Sequence, residues 1–285
     1  MNDDIGLLII NDQNFWADGG ASFGVIPKAI WQKHTSVDAQ NRIEVANNIL
    51  LIRVEGELCL VDCGHGDRLG DKHRKIFGLL SESKINLVLK SHNIEPDNIR
   101  KIIFTHLHFD HFNGMLENSS EITSKFPNAK IYVNEKEWEI LHRENVRISK
   151  SYQVSEIDKF YTKYKENFIF CKEWCKVNDS IEIFRTGGHT LGHQIVKVRA
   201  KGKIFWFTGD LIPGEYYLNL NYVPAYDQFP LETIEAKARF LQEIEKPNNY
   251  LIFQHDPNYK AVSIEKEKEN IYKIKEVINM EEFYV

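Results

Sequence analysis

The chain has 285 residues, 42% of them hydrophobic and 27% charged, which is enough to bury a sizeable core. Its formal net charge of −5, with Lys and Arg scattered among acids, gives no basic footprint for nucleic acid. No apolar run approaches the roughly 20 residues of a membrane span, and Met1-Asn2-Asp3-Asp4 lacks the basic start and apolar centre of a signal peptide. The expectation is a cytoplasmic protein without membrane or nucleic-acid partners.

In chain order, strand-like runs come first: Leu7–Ile10, Ile49–Val54 and Leu58–Val61, the last two joined by the turn residues Glu55-Gly56-Glu57. Ile85, Val88 and Leu89 then recur at helical spacing until Pro96. Ile102-Ile103-Phe104 reads as a short buried strand, Lys130–Val133 as another, and Glu135–His142 as a helix. Ser151–Phe168 carries apolar residues at Val154, Ile157, Phe160, Tyr161 and Tyr164, the pattern of an amphipathic helix. Strands follow at Ile181–Arg185, Gln194–Val198, Ile204–Thr208 and Tyr250–Phe253, with a helix at Leu231–Ile244. The stretch from Tyr259 to Ile278 fits a helix or a strand pair. There is no repeat and no Pro/Gly/Ser-rich linker, so residues 1–285 read as one domain of sheets between helices.

The chemistry is concentrated in Thr105-His106-Leu107-His108-Phe109-Asp110-His111, directly after an apolar strand. Three imidazoles and a carboxylate there, from a chain with only 11 histidines, suit a zinc-like divalent ion. Three more candidates stand at strand ends: His189 after Gly187-Gly188, Asp210 after Thr208-Gly209, and His255 after Tyr250–Phe253. Each alone is weak. Together they supply the donors that two metals need. Cys59, Cys63, Cys171 and Cys175 offer a rival thiolate site, but four strand steps would separate the first two by roughly 13 Å. Free thiols are the simpler reading.

These motifs resemble the metallo-β-lactamase superfamily over roughly residues 20 to 258. The resemblance rests on the His-x-His-x-Asp-His block at 106–111, Leu60-Val61-Asp62-Cys63-Gly64, Gly188-His189-Thr190-Leu191-Gly192-His193, Gly209-Asp210 and Gln254-His255-Asp256. It implies an α/β fold of the αββα sandwich type, two mixed sheets flanked by helices. It also implies that His106, His108 and His189 bind one metal, that Asp110, His111 and His255 bind a second, and that Asp210 bridges both. His193 then supports the turn or touches substrate, Asp62 orients an imidazole, and His65 is expected to be an exposed bystander.

The function implied is a dinuclear metal-dependent hydrolase with a metal-bridging hydroxide, in which Asp110 and Asp210 are catalytic. Zinc is the first expectation for the two divalent ions, with manganese, iron and cobalt as alternatives. Asp18–Lys28 with Trp31 resembles the quorum-quenching lactonase branch, which points to a lactone, ester or similar small molecule and to a homodimer as an option. Phe15, Trp16, Phe23 and Trp31 are candidates for an apolar wall. That branch places a tyrosine soon after the bridging aspartate; here Tyr216, Tyr217, Tyr222 and Tyr226 are the candidates. A di-iron reductase would have Glu where His108 stands, a mono-iron dioxygenase would not need the second ligand set, and a nuclease would want a basic insert.

Overall fold

The computed structural model describes residues 5–79, 81–143, 145–146, 150–280 and 283; Met1–Asp4 lie outside them. Its organisation follows from period-two alternation along the strands, which sends successive side chains to opposite faces. In β1 (Ile5–Asp18), Leu7 and Ile9 face one core while Leu8 and Ile10 face another. The pattern repeats in β2 (Arg42–Val54), which follows two short helices, α1 (Gly19–Phe23) and α2 (Lys28–Trp31). It repeats again in β3 (Glu57–Val61), where Cys59 and Val61 oppose Leu58 and Leu60.

After α3 (Asp71–Ile76) and α4 (Ile85–Ser91), the first sheet is completed by β4 (Ile99–Ile103), β5 (Lys130–Asn134) and β6 (Phe168–Cys171). Its order is β1-β2-β3-β4-β5-β6, with the first two pairings antiparallel and the last three parallel. Between these strands lie α5 (Phe109–Phe112), α6 (Glu135–Leu141) and α7 (Val154–Tyr164). Ile85, Leu89, Ile140, Leu141, Ile157 and Phe160 on these helices cover the outer face of this sheet.

The second sheet takes β7 (Trp174–Lys176), β8 (Ile181–Arg185), β9 (Gln194–Ala200), β10 (Lys203–Phe207), β11 (Asn249–Ile252), β12 (Ala261–Lys268) and β13 (Ile271–Ile278). Only β10 and β11 pair in parallel. Its outer face is covered by Ala236, Phe240, Leu241 and Ile244 of α8 (Pro230–Ile244), and the two inner faces meet over Val61, Ile103, Val196, Val198, Phe205 and Ile252. The architecture is the expected αββα sandwich.

The ambiguous C-terminal stretch is the strand pair β12–β13, whose Glu- and Lys-rich outer ends are exposed. The expected helices Glu135–His142, Ser151–Phe168 and Leu231–Ile244 correspond to α6, to the narrower α7, and to α8. Direction matters most for the site. β3, β4 and β5 run one way in the first sheet; β8, β10 and β11 share a direction in the second. The segments after β3, β4, β8, β10 and β11 carry the chemistry-bearing side chains, and they leave from strand C-terminal ends, where open α/β sheets place ligands.

Candidate metal centre

From the end of β4, the chain turns through Thr105–His108 into the one-turn helix α5. This presents His106, His108, Asp110 and His111 together. Gly188 reaches φ +85° and a Cβ there would lie 2.5 Å from the Thr233 hydroxyl, so only glycine lets the β8–β9 loop bring His189 inward. Gly209, at φ +50°, lets Thr105 and His193 approach the turn that carries Asp210. His255 follows β11, its Nδ1 donating to the Ala46 carbonyl at 2.8 Å.

The donor atoms converge. His189 Nε2 lies 3.2 Å from His106 Nε2 and 3.1 Å from His108 Nδ1. Asp210 spans two clusters: its Oδ2 is 3.1 Å from His189 Nε2, while its Oδ1 is 2.9 Å from His255 Nε2 and 3.5 Å from His111 Nε2. Asp110 Oδ2 stands 3.7 Å from His111 Nε2 and 3.8 Å from His255 Nε2. Three sets, His106/His108/His189, His106/His111/Asp210 and Asp110/His111/His255, each keep their donor atoms within 4.8 Å of one another. All seven sequence candidates are thus gathered around one edge of the sandwich.

The ring orientations are fixed from behind. His189 Nδ1 donates to Asp227 Oδ1 at 2.8 Å, and Asp227 Oδ2 accepts from the Thr233 hydroxyl. His111 Nδ1 donates to Asp62 Oδ2 at 2.9 Å; Asp62 also accepts from the Thr105 amide and hydroxyl. His106 Nδ1 faces the Thr105 oxygen. With the rear nitrogens occupied as donors, the forward nitrogens are the atoms left to face a metal. His111 Nε2, buried, makes no hydrogen bond among the described residues. Such an orphan at the focus of other donors fits a divalent cation.

Electrostatics agree. Burial works against charge throughout, yet Asp110, Asp62 and Asp210 push His111 up to about 10. Against the same burial, His255, His189 and His111 hold Asp210 well below the usual carboxylate range. Burial, reinforced by neighbouring imidazoles, holds His106 and His108 far below the ordinary histidine value, which keeps them neutral. The cluster is an anion-and-imidazole well suited to positive charge.

His193 is held apart. Its Nδ1 is bonded to the Thr186 hydroxyl and its Nε2 accepts the Asp210 amide, so it supports the turn as expected. His65 departs from expectation: it is fully buried rather than exposed. The turn after β3 folds it under Phe15, and its Nδ1 accepts from Asn47 Nδ2, which also donates to the Asp110 carbonyl.

A cavity of about 330 Å³ opens over His108, Asp110, His189, Asp210 and His255. Phe15, Ile43, Val45, Phe77 and Phe109 form apolar walls, and Tyr216, Tyr217 and Tyr226 another side. Of the four expected wall residues only Phe15 lines it. Trp16, one strand step on, faces away beneath the Arg42 guanidinium, and Phe23 stacks on Trp31 at 4.7 Å in a separate core with Ile43. Tyr222 packs against that same core. Tyr226 sits edge-on to the His189 ring at 5.8 Å, and its hydroxyl bonds that of Tyr217, which donates to the Ser22 carbonyl.

Sequence reasoning missed Asp227 and Glu137. Glu137, buried in α6, accepts the Leu107 amide at 3.0 Å and the Tyr152 hydroxyl at 2.7 Å, and the Thr190 hydroxyl by a short bond. It therefore ties the two histidine loops together. Neither acid lies in a recognisable spacing pattern.

Comparison with known proteins places the site in context. Residues 42–255 match the model of the metallo-beta-lactamase superfamily. An N-acyl homoserine lactonase from Bacillus thuringiensis is 26% identical over 184 residues, covering 62% of this chain. The match spans 64% of that lactonase's length. A probable metal-dependent hydrolase from Staphylococcus aureus superposes with a TM-score of 0.86 at 30% identity, over 98% of this chain and 100% of that one. AidC, described as a dizinc quorum-quenching lactonase in complex with a product, has a TM-score of 0.78 at 17% identity, over 96% of each chain, a likeness of fold alone. No helix among the described residues is long and apolar enough to cross a membrane.

Proposed function

The chain belongs to the metallo-beta-lactamase superfamily, and on that premise we propose that it is a dinuclear metal-dependent hydrolase acting on a lactone or ester with an apolar tail. The observation that carries the reading is the position of Asp210, with one oxygen at His189 and the other at His255, on the floor of an apolar cavity. In this reading His106, His108 and His189 would hold one ion, Asp110, His111 and His255 would hold the other, and Asp210 would serve both. Two divalent ions, zinc foremost, would supply water of lowered pKa and a Lewis acid for the attacked oxygen.

The protein's own groups do the rest. Asp110 is the proton carrier: it lines the cavity, and the imidazoles of His111, His65 and His255 keep it ionised against the effect of burial. A carboxylate that accepts a proton beside three imidazoles can return it to the leaving alkoxide. Asp62 and Asp227 hold their imidazoles through this cycle. The Tyr226 hydroxyl, at the rim beside His189, would donate to the carbonyl oxygen as charge develops on it by turning its proton away from the Tyr217 oxygen. Phe15, Phe77 and Phe109 take up the acyl chain and exclude water.

The lactonase relatives support the substrate class, and the net charge of −5 supports a small molecule over nucleic acid. Metal quantification followed by turnover on acyl-homoserine lactones of graded chain length, aryl esters and organophosphates tests the reading. Two equivalents of metal and lactone cleavage that improves with chain length are expected. One equivalent of iron with oxygen consumption would replace hydrolysis with redox chemistry.

A further inference from the structure

Far from the metal centre, the chain crosses from the first sheet to the second within two residues. β6 ends at Cys171 and β7 begins at Trp174, so Cys171 pairs with Asn134 in one sheet and Cys175 with Ile183 in the other. Both side chains pack into the core between the sheets, Cys171 buried and Cys175 half-buried at its margin. Each thiol is the other's strongest influence on ionisation. The crossover itself is pinned: the Lys172 carbonyl accepts from Asn134 Nδ2 at 2.8 Å, and the Glu173 carbonyl from the Arg185 amide at 3.0 Å. Two thiols that face one core from either side of a two-residue crossover, on a backbone held at both central residues, can bond by side-chain movement without parting the sheets.

We infer that Cys171 and Cys175 form a peroxide-sensitive dithiol that closes to a disulfide across the β6–β7 crossover. The Cys175 sulfur attacks one peroxide oxygen, the O–O bond breaks, and water leaves as Cys175 becomes a sulfenic acid. The Cys171 sulfur then attacks Cys175 sulfur, the S–O bond breaks, and a second water leaves. Two thiols lose two electrons and peroxide gains them.

The division of labour follows from the surroundings. The neighbouring Cys171 thiol lowers Cys175 to about 7 against the effect of burial, so the accessible sulfur is also the one that ionises. Cys171 is held protonated, first by that neighbour and then by burial. The other two cysteines are poor competitors: burial pushes Cys59 up to about 12 and Cys63 well above the usual thiol range, and both are fully enclosed.

The test is mild hydrogen peroxide treatment of the folded protein, then denaturing alkylation and peptide mass mapping. The expected product is a fragment bearing Cys171 and Cys175 that is two hydrogens lighter and unalkylated until dithiothreitol is added, with Cys59 and Cys63 alkylated throughout. In Cys171→Ser, a sulfenic-acid trap is expected to label Cys175 in the folded state. Even oxidation of all four cysteines, or a Cys175 that proceeds to sulfinic acid while Cys171 stays a free thiol, would overturn the inference.

Discussion

Asp227 Oδ1 accepts the Nδ1 proton of His189 at 2.8 Å, fixing the ring that stands between the two donor clusters. Carboxylates in this position orient a ligand imidazole and raise its basicity. Asp227→Ala is expected to weaken metal binding by roughly 10- to 100-fold while the fold, by far-ultraviolet circular dichroism, is retained. Unchanged affinity in a chelator-competition titration would mean that His189 needs no support.

The two clusters make a stoichiometric prediction. His189→Ala removes a donor from the His106/His108/His189 set only, and His255→Ala from the Asp110/His111/His255 set only. Each variant is expected to retain about one equivalent of metal and the parent two, since three-donor sites lose most affinity with one ligand gone. Elemental analysis after dialysis reads this directly. A variant that keeps both ions would show that the removed residue is not a ligand.

Tyr226 carries the catalytic expectation. Tyr226→Phe keeps the ring against His189 and removes only the hydroxyl. The rate constant kcat is expected to fall by as much as about 10²-fold with little change in KM or metal content, the signature of a lost oxyanion donor. A rise in KM alone would assign the hydroxyl to substrate binding.

Asp12 gives a pH dependence remote from the metals. Its Oδ1 accepts from the Ser83 hydroxyl and the Lys84 and Ile85 amides, while its buried Oδ2 makes no hydrogen bond among the described residues. Burial raises its pKa from 3.8 to about 6 despite those bonds. Since the folded state binds this proton more tightly than the unfolded state, the contribution to stability is full below pH 3.8 and is lost as pH rises to about 6. Asp12→Asn keeps the accepting oxygen and removes the charge. It is expected to be more stable than the parent at pH 7, by about 1–3 kcal/mol, with the difference vanishing towards pH 4. Urea unfolding across that range reads it, and a variant less stable at pH 7 would contradict it.

The site was legible in the sequence because its donors are either packed into six consecutive residues or stand just past short apolar strands. Both are local signals. Asp227 and Glu137 were not legible because their partners are distant in sequence: Asp227 lies in an irregular stretch, and Glu137 looks like any acid on a helix surface until the fold buries it. The aromatics show the same limit. Alternation along β1 sends Phe15 to the cavity and Trp16 away, and no composition argument tells the two apart. The C-terminal strand pair was ambiguous because its outer ends carry charge on both faces, which erases the period-two pattern.

Each donor trio draws on both halves of the molecule: His106 and His108 hang from one sheet and His189 from the other, just as Asp110 and His111 face His255. A bound ion is therefore a rivet through a seam. Prying the halves apart at that rim would empty both positions at once, so loss of cargo and opening of the rim would be a single event.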